Sequence, residues 1–215
     1  MDAGIAQASR ILPPDPLPVS WLGRSDTPHP CPDWAVIAQL SGTQQRNLLA
    51  QIAYASSVWD YKKIGANNEL GRYQFDTNTL ETYSLLTTGS NTSYGTDAVN
   101  YQHCWRAPFS TYANYLSEVA NINDFLTNTS AQEFLAYQRL SDLYSDCVKV
   151  AAIKTNDTAD VVAGMLYVAW VLGAGTASTL NNTTGTGAYA WRYFSVGTGA
   201  SYYTSGRYAI SILSK

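Results

Sequence analysis

Charge is scarce in this chain: only 13% of its 215 residues are Asp, Glu, Lys or Arg, and the formal net charge is -3. That balance supplies no basic surface for nucleic acid or for an anionic membrane. Histidine is rarer still, with two residues, His29 and His103, and the three cysteines, Cys31, Cys104 and Cys147, form no CxxC pair. Two histidines are too few for a convincing zinc set, and of the two readings of His103-Cys104, half a metal site or a buried thiol beside a satisfied histidine, the second is preferred. No metal and no cofactor is therefore expected. Cysteines in odd number without pairing suit a reducing compartment. A basic start followed by an apolar stretch is missing, so no signal peptide is read. The longest run of apolar and small residues, Val161 to Ala177, is borderline for a membrane span and carries Gly164, Gly173 and Gly175. It reads as a helix buried all round in a globular core.

Proline is almost confined to one place. Seven of the eight prolines precede Asp33, in ILPPDPLPVSWLGRSDTPHPCPDW. Fixed φ and missing N–H groups exclude helix interior and central strand there. Residues 1–38 are expected to form an extended arm, with Leu17, Trp21, Leu22 and Trp34 as apolar anchors against a surface.

What remains is 46% hydrophobic, enough for one sizeable core over residues 39–215. Ser41-Gly42-Thr43-Gln44 matches a capping box, and Leu48, Ile52, Ala55 and Trp59 continue a helical stripe to about Tyr61. GANNELGRYQF then combines turn formers with β-prone residues, which predicts a loop entering a short hairpin. A second helix is expected from Asn78 to about Leu86. Residues 87–120 lose all period and read as an ordered insertion. Thr129 with Gln132 predicts a further capping box ahead of Phe134, Tyr137, Leu140, Tyr144, Cys147 and Val148. The apolar run makes a last strong helix, opened by Asp157 or Asp160 and closed around Gly173. The fold class so read is mainly α with a small β-hairpin.

In YKKIGANNELGRYQF, residues 61–75, a carboxylate at Glu69 stands beside the turn residue Gly71 and a polar Gln74 set between Tyr73 and Phe75. The piece LGRYQF, followed by TNTLETYSLL, resembles the Gly-(Lys/Arg)-Tyr-Gln-Phe element of phage lytic transglycosylases and tail-associated muramidases, which share the lysozyme-like fold. AQEFLAYQRL and GMLYVAWVLGAGTA are similar to that family's later Gln-Glu helix and its Gly-Ala-Gly core helix. The resemblance covers about Leu40 to Leu213. It implies an α+β lysozyme-like domain whose Gly71 and Phe75 are structural and whose Tyr73, Gln74 and Trp59 face sugar.

In the family, a Glu in a Glu-Ser pair at the end of the long helix protonates the glycosidic oxygen, which requires a proton retained near neutral pH. Here that pair falls on Ser56-Ser57, so Ser56 stands in the position of the missing acid. A serine hydroxyl is too weak an acid for this step. Asp60, four residues after Ser56, shares its helix face if the helix continues, with Trp59 and Tyr61 as apolar neighbours able to raise its pKa. Glu69, on the loop forming one wall of the cleft, is the other carboxylate able to substitute.

Two functions follow from the resemblance. The first is a structural component of a phage tail or baseplate in the virion, contacting other virion proteins through the arm. The second is an active peptidoglycan muramidase or transglycosylase with Glu69 or Asp60 as acid.

Overall fold

Ser41 opens the first helix by local chemistry alone. Its backbone N–H donates to Gln44 Oε1 at 2.8 Å, and the Gln44 N–H donates back to Ser41 Oγ at 3.2 Å. The reciprocal pair satisfies two amides that a helix start leaves without partners. In the computed structural model, which describes residues 37–86, 119, 121–174, 205–207 and 209–210, this box precedes helix α1, Gly42–Ser57. Among the described residues the next helices with defined bounds are α2, Thr77–Thr82; α3, Ile122–Thr127; α4, Thr129–Lys149; and α5, Ala159–Leu172. The described chain is mainly helical. Its β content is confined to isolated antiparallel bridges, among them Ile64 with Leu70 and Leu70 with Phe75.

α1 ends four residues earlier than its apolar stripe suggests. Val58 and Trp59 both take left-handed backbone, at φ 56 and 63. Two such residues in succession break the i to i−4 ladder, since the conformation is unfavourable for side chains with a Cβ. Trp59 nevertheless stays buried by folding back on the Tyr54 ring, 4.4 Å between centroids. α2 starts at Thr77, because Asp76 Oδ1 accepts from the Thr79 N–H at 2.8 Å and caps it.

α4 begins where the Thr129 motif places it, but with another cap. Asn128 Oδ1 accepts from the Ala131 N–H at 2.9 Å, and Gln132 takes no part. α3, capped by Asn121, supplies Ile122, Phe125 and Leu126 to the core and has no counterpart in the sequence reading.

The chain divides into two compact units, Ile52–Ala136 and the remainder, Met1–Gln51 with Tyr137–Lys215. In the latter, α5 is buried on every face from Val162 to Trp170, as its unbroken apolar sequence demands. Gly173, at φ 82, ends it. Arg139 on α4 donates to the Trp170 carbonyl at 3.2 Å and lies over the Trp170 ring at 4.9 Å. Gln39 Oε1 accepts the Tyr144 hydroxyl at 2.7 Å. A Cβ at Gly206 would overlap the Ala163 carbonyl, so glycine there permits a close approach to α5.

The arm up to residue 36 and the expected insertion, apart from Val119, lie outside the described residues, as do Cys31, Cys104, both histidines and residues 175–204.

Candidate functional site

The segment from Val58 to Asp76 is rich in unusual backbone. Besides Val58 and Trp59, Asn68, Gly71 and Gln74 have positive φ, at 63, 75 and 51. Asn and Gly tolerate that conformation, whereas Gln74 must be held in it. The restraint is visible: Gln74 Nε2 donates to the Gly71 carbonyl at 2.8 Å and to the Lys63 carbonyl at 3.2 Å. Leu70 and Phe75 exchange both backbone hydrogen bonds at 2.9 Å, closing the tight turn between them. Gly71 has a second reason to be glycine. A Cβ on it would overlap Gln132 Oε1.

That oxygen accepts the Arg72 N–H at 2.8 Å. The carbonyl of the same residue accepts the Ser57 hydroxyl at 2.6 Å. Both polar groups of the Arg72 backbone are thus held, one by the end of α1 and one by the start of α4. Gln132 also donates through Nε2 to the carbonyls of Tyr61, at 3.0 Å, and Phe125, at 2.8 Å. Its amide is fully used by chain segments far apart in sequence, which explains why it is not in a capping box.

The Arg72 side chain is buried, with Nε 3.5 Å from Glu133 Oε1. Glu133 also accepts the hydroxyl of Tyr61 at 2.7 Å on Oε1 and that of Tyr73 at 2.8 Å on Oε2. The guanidinium carbon lies 4.8 Å from the Tyr61 ring centre and 5.9 Å from that of Tyr73. Taking such charges out of water is costly, and here the cost is offset by their mutual attraction and by the two phenol hydrogen bonds to Glu133. Burial, reinforced by the Glu133 charge, pushes both phenols above their ordinary pKa. Phe75 packs between Tyr73 and Phe125, at 5.7 and 6.1 Å. Chemically, the cluster is a buried polar core centred on Glu133, which takes up two phenol hydroxyls and faces the Arg72 guanidinium.

The residues singled out from sequence take the following places. Ser56 is half-buried, and its carbonyl accepts the Lys63 ammonium at 2.6 Å. Its neighbour Ser57, not Ser56, reaches the Gly-Arg-Tyr-Gln-Phe element. Asp60 is exposed beyond the helix, in a turn where Oδ1 accepts the Lys62 N–H at 2.8 Å. The shared helix face that gave Asp60 its case ends at Ser57.

Glu69 lies half-exposed in the turn, beside Gln74, since both side chains pack over Gly65. Partial burial would raise its carboxyl, but hydrogen bonds from the Asn67 side chain and backbone, at 2.9 and 3.1 Å, outweigh this and hold it below the usual value. An acid so poised is ionised near neutral pH and is no proton donor. Tyr73 and Phe75 are buried at 1% exposure and Trp59 at 8%. Gln74 is the one of the three proposed sugar contacts that retains partial exposure.

Arg72, Gln132, Glu133, Ser57 and Tyr61 carry the interactions here, and none of them stands out as a site residue in the sequence. The available hint was the Gln-Glu pair in AQEFLAYQRL, whose second member is charged at a position of helical burial.

Among the described residues no cluster of three His, Cys, Asp or Glu could hold a metal ion, and no helix is long and apolar enough to cross a membrane. No protein-family profile, no characterised protein and no solved structure matches this chain.

Proposed function

We propose that the chain is a structural component of a phage tail or baseplate, built on a lysozyme-like domain that no longer hydrolyses glycan. The phage context and the fold family rest on the resemblance of LGRYQF and its flanking helices. The loss of activity rests on one observation: at the end of α1, where that family carries its acid, stand Ser56 and Ser57, and the Ser57 hydroxyl is bonded to the carbonyl of Arg72 within the element itself.

Three carboxylates of this unit, Glu133, Glu69 and Asp60, support the same reading. Glu133 is buried and compensated by Arg72, Tyr61 and Tyr73. Glu69 is held ionised and Asp60 sits in an exposed turn. A glycosidic oxygen needs a protonated acid in an apolar setting. None of the three has that combination.

Clearing of purified peptidoglycan tests the proposal. The wild type is expected to leave the suspension turbid, with no released anhydro- or reducing muropeptides. Clearing that is lost in Glu69→Gln and kept in Asp60→Asn overturns it and makes Glu69 the residue on which hydrolysis depends. If turbidity persists, titration with a chitin or muropeptide oligomer distinguishes a glycan-binding virion module from one that serves in assembly alone.

A further inference from the structure

We draw no further inference here: the strongest candidate, the exposed apolar patch of Val58 and Ile64 in the turns that follow α1, carries nothing because nothing in the structure shows what covers it.

Discussion

Two adjacent serines have opposite weight in this fold. Ser57 is buried and its hydroxyl holds the Arg72 carbonyl at 2.6 Å, while Ser56 contributes its backbone carbonyl to Lys63. Removing the Ser57 hydroxyl leaves a buried acceptor without its donor, which costs about 1–3 kcal/mol. Ser57→Ala is therefore expected to lower stability by that amount in urea denaturation. Ser56→Ala is expected to change it by no more than about 0.5 kcal/mol, as for a site with no buried partner to lose. Equal losses from the two would mean that the hydroxyl bond to Arg72 contributes nothing. Cys147 offers a simpler check at the same scale. Burial pushes its thiol up to about 12, with Asp146 adding to the effect. In a variant with Cys31 and Cys104 changed to serine, a thiol reagent at pH 8 should label Cys147 only after denaturant is added, because the thiolate is the reactive form.

Between elements, the controlling contact is the one α4 makes with the turn segment. Glu133→Gln leaves the Arg72 guanidinium buried without its counter-charge, and breaking such a pair from one side costs about 3–5 kcal/mol. Combining it with Arg72→Met should recover much of that loss. A double-mutant cycle by chemical denaturation reads the coupling directly. Additive losses would show that the two side chains do not act as a pair. The phenols give an independent handle on pH. Tyr61 and Tyr73 have folded pKa values raised above the ordinary phenol value of about 10. Their contribution to stability is thus complete below pH 10 and is lost as pH rises towards the folded values. In an absorbance titration of phenolate, Tyr61 and Tyr73 should be among the tyrosines that remain protonated beyond pH 10 and ionise only as the protein unfolds; Tyr73→Phe should lower that late-titrating number by one.

Sequence reading succeeded here where the partners are local. Ser41 finds Gln44 three residues on, so the box is visible in four letters. It failed where they are distant: Gln132 is three residues after Thr129, yet its amide goes to Arg72, 60 positions away. The end of α1 differs from the apolar stripe for a related reason. Val58 and Trp59 both have ordinary helical propensity, and the burial of Trp59 against Tyr54, which accompanies their left-handed backbone, has no sign in the local sequence. The candidate site is legible as a segment but not as a mechanism, because Glu69 is conspicuous beside Gly71 in the turn while the carboxylate at the centre of the cluster, Glu133, lies far along the chain in α4.

For the molecule as a whole, the proline-rich segment of residues 1–33 carries a prediction that follows from the proposed function. If the arm serves a neighbouring protein, deletion of residues 1–33 leaves the melting temperature within a few degrees and abolishes association with tail or baseplate partners in sedimentation. A large fall in melting temperature would instead make the arm part of its own domain.

The tie at Arg72 also sets an order in time. Ser57 leaves the ribosome before Arg72, but Gln132 and Glu133 follow it by about 60 residues. At about 5–20 residues per second, that is roughly 3–12 seconds. During that interval the guanidinium has no carboxylate to meet and the 58–76 turns lack the helix that fixes them. Their final form is reached only once the start of α4 has been made, so a pause or truncation between residues 76 and 132 leaves the segment without the partners that close it.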